Sequence, residues 1–172
     1  MKNKVVWITG ASSGIGEALA YQLNELGAKL IISSRNREAL YTGHIVVISS
    51  LVGKFGTKGR SAYSASKHAL HGYFDSLRNE IDTQIKISII CPGYIKTNLS
   101  YNALLANGNR QNKMDDAQAN GMPADECANQ VIKAIKAGKE EVYIGGKEKY
   151  AVLLKRYFPR IFSKIVRKAK VT

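Results

Sequence analysis

Short runs in which nearly every position is apolar alternate along this chain with longer stretches whose apolar residues fall at helical spacing. Residues 4–9, 28–33, 44–49 and 86–91 are runs of the first kind, and Glu141–Ile144 is a shorter one. A strand covered by helices on both faces of a parallel sheet reads this way, because neither face can be polar. Residues 13–26 carry Ile15, Ala18, Leu19, Leu23 and Leu26 on one helical stripe, with Gly27 placed to terminate the helix. Residues 61–81 form a long second stripe through Ala62, Ala65, Ala69, Leu70, Tyr73, Phe74, Leu77 and Ile81. Residues 123–137 form a third, opened by a proline and two acids and closed by Gly138. Residues 35–41 start another helix that Thr42 and Gly43 interrupt, and 98–122 read as a polar flap. Strand, turn, helix, strand in repetition predicts an α/β fold with a doubly wound parallel sheet of about five strands.

The last stretch differs in character. Tyr150, Leu153, Leu154, Tyr157, Phe158, Ile161, Phe162, Ile165 and Val166 recur at helical spacing, basic residues fill the opposite face, and Pro159 should divide the stretch into two helices. Residues 147–172 hold nine basic residues and one acid, Glu148, so they carry +8 of the chain's formal +13. The charge therefore describes a tail (147–172) attached to a domain (1–146), and it does not predict nucleic-acid binding. Three roles stay open for the tail: docking on an anionic membrane surface, capping a substrate cleft, or packing on a second subunit in a homo-oligomer.

Composition is that of a single globular domain of 172 residues. Cys91 and Cys127 lack framework spacing and read as buried free thiols, in keeping with a reducing, cytoplasmic setting. No run reads as a signal peptide or approaches bilayer-spanning length. His68 and His71 lie three apart without a carboxylate or thiol at ligand spacing, so they read as solvent-facing or core residues and no metal is expected. Asp115 and Asp116 read as a solvated turn or helix start.

Three motifs carry chemistry. The first is TGASSGIG, residues 9–16, which follows the first strand and opens the first helix. Gly10 lets the chain turn sharply, while Gly14 and Gly16 leave room for a phosphate at a helix N-terminus, where free N–H groups favour an anion. At the end of the second strand Ser33, Ser34 and Arg35 replace the acid that would bind a free ribose hydroxyl, which suits NADP and makes NAD less apt. The second motif is Ser50, Tyr63 and Lys67, a hydroxyl at a strand end and a phenol–amine pair four residues apart on one helix face. A nearby ammonium lowers a phenol's pKa from near 10 toward useful acid/base chemistry, and a hydroxyl can donate to a substrate oxygen as charge develops there. The third is Pro92-Gly-Tyr-Ile-Lys-Thr97 after the fourth strand.

Together these resemble the short-chain dehydrogenases/reductases over roughly residues 4–144, down to the thirteen-residue offset from Ser50 to Tyr63. The resemblance implies a Rossmann-like fold and carbonyl–alcohol interconversion with NADP(H), on a small substrate that is apolar. Tyr63 would be the acid/base, Lys67 would lower its pKa and hold the nicotinamide ribose, and Ser50 would orient the carbonyl. Gly10, Ser12, Ser13, Gly14, Ile15, Gly16, Arg35, Pro92, Gly93, Ile95 and Thr97 would line the cofactor, with Tyr63 and Lys67. The tail and the segment YSASKHAL look most like the branch of membrane-associated reductases of steroid- and lipid-like carbonyls, which implies a peripheral membrane location.

The chain departs from that family between its second and third strands. Family strands 3 and 4 are absent, with most of three helices, roughly 70–100 residues at ordinary element lengths. With them go the catalytic Asn and the acid that meets the adenine. Two outcomes follow: the Ser50 strand moves in beside the first strand, giving the order 2-1-3-4-5, or a gap remains. The rival to an active reductase is thus a catalytically impaired deletion form acting at a membrane surface or in interactions.

Overall fold

The computed structural model describes residues 4–8, 14–32, 44–81, 85–101, 103 and 108–169. Five parallel strands form the main sheet in the order β2-β1-β3-β4-β7: β1 (Val5–Ile8), β2 (Lys29–Ile32), β3 (His44–Ile48), β4 (Lys86–Pro92) and β7 (Glu141–Ile144). This is the closed-up order, one of the two outcomes that the sequence left open. Strand β3 lies directly against β1, with Trp7 opposite Ile45 and Ile8 opposite Val46. No slot remains between β1 and β3, so the truncated Rossmann-like sheet is continuous. The short crossover at 33–43, including the helix expected at 35–41, lies outside the described residues.

Both faces of the sheet are buried, as the unbroken apolar runs require. Helices α1 (Gly14–Glu25) and α4 (Ala124–Lys136) cover one face, where Val6, Ile8, Val46 and Ile90 meet Leu19, Leu23, Val131 and Ile135. Helix α2 (Ser61–Glu80) covers the other, where Ile45, Val47, Ile87 and Ile89 meet Phe74, Leu77 and the tail. Successive side chains of β3 and β4 serve opposite faces, the period of two that a strand imposes. Gly27, at φ +72°, closes α1 in the left-handed conformation that a residue with a Cβ resists.

The flap has more structure than its composition suggests. Strand β5 (Ile95–Lys96) pairs in parallel with β6 (Met122–Pro123), and between them stands the short helix α3 (Asp116–Ala119). Pro159 divides the tail as expected, into α5 (Ala151–Tyr157) and α6 (Pro159–Lys168). Part of the tail packs on its own domain: Phe162 is buried, edge-on to Phe55 at 5.2 Å between ring centroids. Among the described residues no helix is long and apolar enough to cross a membrane.

Candidate active site at the carboxyl ends of the strands

Parallel strands carry their carboxyl ends to one end of the sheet, and there the described part of the first motif, residues 14–16, meets the other two motifs. Ser50 follows β3 and caps the 3₁₀ turn Leu51–Gly53; its Oγ accepts from the Val52 N–H at 3.4 Å and donates to the Pro92 carbonyl at 3.3 Å. That contact ties the second motif to the third. The Ser50 hydroxyl also stands close enough to the Tyr63 phenol to favour its ionised form. Gly14 begins α1 at φ +62° and lies against the third motif, since a Cβ at this position would stand 3.0 Å from Thr97 Cγ2. Ile15 is half-buried and Gly16 is buried. Gly10, Ser12, Ser13 and Arg35 lie outside the described residues.

The electrostatics of the phenol differ from expectation. Burial pushes the Tyr63 pKa up from its ordinary value near 10, against opposing pulls from the Ser50 hydroxyl and the Arg60 charge. Lys67 does not offset this. Its Nζ donates to the Ile48 carbonyl at 3.0 Å and stands 5.6 Å from the Tyr63 ring centroid, and burial pushes its own pKa down. Ile48 is the last residue of β3, so Lys67 satisfies a carbonyl at the end of that strand. In this arrangement the phenol is a neutral proton donor at pH 7.

Several residues that hold the site together were not legible in the sequence. Arg60, just before α2, pairs with Asp115 of the flap at 2.7 Å; Asp115 stands at a helix start, as one of its two readings had it, and is nearly buried there. Gln118 is buried on α3; its Oε1 accepts from the Ser100 N–H at 2.8 Å and its Nε2 donates to Thr97 Oγ1 at 2.9 Å. Thr97 is thereby fixed from the flap side, and nothing in the sequence pattern announced it. His71 extends the stripe of Tyr63 and Lys67 by one more turn, a spacing that did carry a signal. It is a core residue whose Nε2 lies 3.0 Å from Ser49 Oγ, and Ser49 precedes Ser50 directly. Gly53 covers this pair so closely that a Cβ there would fall 2.7 Å from Ser49 Oγ.

Behind His71 lies Glu141, at the start of β7. Its Oε2 is 3.5 Å from His71 Nδ1 and 2.6 Å from Lys54 Nζ, and its Oε1 accepts from the Tyr143 hydroxyl. Burial alone would raise this carboxyl, but the bonds from His71, Lys54 and Tyr143 prevail and hold it at about 2. A depressed folded-state pKa adds stability above the ordinary carboxylate value of 4.5, lost as pH falls toward 2. Discounted for solvent screening at its partly exposed edge, the contribution at neutral pH is on the order of 2–3 kcal/mol. Urea midpoints measured from pH 7 to pH 3 should therefore show the advantage of wild type over Glu141→Gln shrinking below about pH 5. A gap that stayed constant would contradict this reading.

Cys91 and Cys127 are buried and free, with burial pushing both thiols up to about 12, in line with inert core thiols. Among the described residues no group of three or more His, Cys, Asp or Glu side chains could hold a metal. The residues present do fit a dinucleotide's nicotinamide and phosphate end. A helix N-terminus opened by a left-handed glycine faces Thr97, and the Ser50–Tyr63 pair lies across the same segment.

Comparison with known proteins agrees. A family model described as short chain dehydrogenase matches residues 4–42 and 41–107. The chain is 44% identical over 122 residues to dehydrogenase/reductase SDR family member 7B of Xenopus tropicalis, covering 70% of this chain and 40% of that protein. It is 39% identical over 132 residues to dehydrogenase/reductase SDR family protein 7-like of Drosophila melanogaster, covering 76% and 40%. It thus spans about two fifths of the length of these curated relatives. A short chain dehydrogenase from Burkholderia cenocepacia, solved in complex with NADP, shares the fold with a TM-score of 0.71 at 14% identity, over 98% of this chain and 99% of that one. One from Burkholderia phymatum, solved with NAD, gives 0.68 at 16%, over 93% and 95%. The motifs, their meeting at one end of a parallel sheet and the sequence matches lead to one conclusion: the chain belongs to the short-chain dehydrogenase family.

Proposed function

We propose that this chain interconverts a small apolar carbonyl and its alcohol with a nicotinamide cofactor, NADP(H) in preference to NAD(H). The observation that carries the reading is the continuous set of contacts from Gly14 to Thr97, from Pro92 to Ser50 and from Ser50 to Tyr63. When bound, the cofactor supplies or accepts the hydride. The chain's own residues do the rest: Ser50 donates to the substrate oxygen and Tyr63 delivers the proton to it. Lys67 leaves the Ile48 carbonyl to hold the ribose, with its charge then available to the phenolate. The choice of NADP rests on Arg35 and the two serines before it. The test is turnover of a panel of apolar aldehydes and ketones with NADPH and with NADH. Reduction with NADPH preferred supports the reading. Absence of turnover together with absence of cofactor binding sinks it and favours the impaired deletion form.

A second feature supports a place at a membrane surface. Tyr150, Leu153, Tyr157, Phe158, Ile161 and Ile165 are each half exposed or more, although they form the apolar side of α5 and α6. Lys155, Arg156, Arg160 and Lys164 flank them in solvent. An apolar stripe between exposed cations matches an anionic lipid surface, where each basic residue near the headgroups adds attraction. The chain should sediment with vesicles of phosphatidylcholine and phosphatidylserine, less so at high salt. Ile161→Asp with Ile165→Asp should abolish this. If the chain stayed in the supernatant and formed concentration-dependent oligomers, the face would belong to a second copy instead.

A further inference from the structure

The one acid in the basic tail is neither on the exposed stripe nor at the reacting groups. Glu148 lies in the 3₁₀ turn Lys147–Tyr150 that joins β7 to α5, and its carboxylate turns back toward the sheet. Oε1 accepts from the Tyr94 N–H at 3.2 Å and from the Gly146 N–H at 3.0 Å. Three glycines make the space for it. A Cβ at Gly93 or at Gly145 would come within 2.4 Å or 2.5 Å of Oε1, and one at Gly146 within 2.8 Å of Oε2. Gly93 also donates its N–H to the Ile144 carbonyl at 2.7 Å, so β4 and β7 end together around this carboxylate.

We infer that Glu148 is a positioning residue that latches the segment 92–97, and with it the nicotinamide-facing Ile95 and Thr97, to the root of the tail. The inference rests on the cofactor reading above. Tyr94 is the pivot of that segment. Before it Pro92 accepts from Ser50, and after it Ile95 and Lys96 pair with the flap and Thr97 touches Gly14. A charged acceptor on the pivot's N–H is stronger than a neutral one, and it fixes the segment without touching substrate. The glycines at 93 and 146 and the isolated acid in a strongly basic stretch then have one common explanation, which Gly145 shares beside its own backbone need at φ +152°.

Position, not mere stability, is separated by comparing two ligands. NADPH reaches the latched segment through its nicotinamide, whereas 2′-phospho-ADP-ribose carries the same adenine end and lacks that ring. Glu148→Ala should weaken NADPH about 10-fold, the scale of losing hydrogen bonds to a charged group. It should leave 2′-phospho-ADP-ribose unchanged and speed hydrogen exchange at the Tyr94 and Gly146 amides. Glu148→Gln, which keeps an acceptor oxygen, should fall between. Equal weakening of both ligands alongside a lower melting temperature would reduce Glu148 to structural support and overturn the inference. Unchanged affinities with protected amides would do so as well. If the wild-type chain bound neither ligand, the nicotinamide reading would fall, and the latch would be judged on the two amides alone.

Discussion

Tyr63→Phe should cost about three orders of magnitude in kcat for carbonyl reduction while leaving NADPH affinity within about 2-fold, because a positioned general acid contributes roughly 10²–10⁴. The substitution removes one oxygen, the one beside Ser50, from a half-buried ring. Burial keeps the phenol protonated at neutral pH, so the proton needed in the reducing direction is already in place. The opposite direction needs the phenolate. Alcohol oxidation should therefore rise with pH, and once bound cofactor draws Lys67 off the Ile48 carbonyl that rise should come below 10, the phenol's ordinary value. Stopped-flow measurement of both directions across about pH 6–10 checks this. Oxidation that showed no rise below pH 10 would show that the lysine does not reach the phenol even with cofactor bound. Near-normal turnover by Tyr63→Phe would remove Tyr63 from the chemistry altogether.

Phe162→Ala should lower global stability by about 3 kcal/mol or more, the usual cost of emptying a buried aromatic site. Phe162 is the deepest residue of the tail, packed edge-on against Phe55, with Lys155 Nζ 5.9 Å from its ring centroid. Phe55 belongs to the loop that follows Ser50, and Leu51 lies in the same cluster. The tail is thus seated on the loop that carries the candidate hydroxyl. The variant should unfold at lower urea, and α5 and α6 should become protease-sensitive before the sheet does. If α6 were cut while the urea midpoint held, the tail would be an appendage and not part of the core.

How far the sequence could be read depended on the range of the interaction. Strands buried on both faces and helices with one apolar stripe are local patterns, so the elements, the split at Pro159 and the left-handed Gly27 were all readable. The strand order was narrowed to two outcomes by counting residues between β2 and β3, and pairing of β1 with β3 realises the closed one. Tyr63, Lys67 and Ser50 were found because helix period and strand end are local features. The partners chosen by tertiary packing were hidden. Lys67 binds the Ile48 carbonyl at the end of β3, 19 positions away. Asp115 meets Arg60 across 55 positions, and Gln118 reaches Thr97 only because α3 folds back over β5. No periodicity encodes such contacts.

The central claim is that a sheet closed over the missing strands still gathers the glycine turn, the Ser50–Tyr63 pair and the segment 92–97 around one cofactor. Calorimetric titration with NADPH tests it most directly, run on the wild-type chain beside Gly14→Val. The variant forces a β-branched residue into φ +62° and against Thr97. The account predicts saturable binding of one NADPH per wild-type chain, lost in the variant while its melting temperature shows it folded. A folded wild-type chain that binds no NADPH, or a variant that binds it as well as wild type, would contradict the claim.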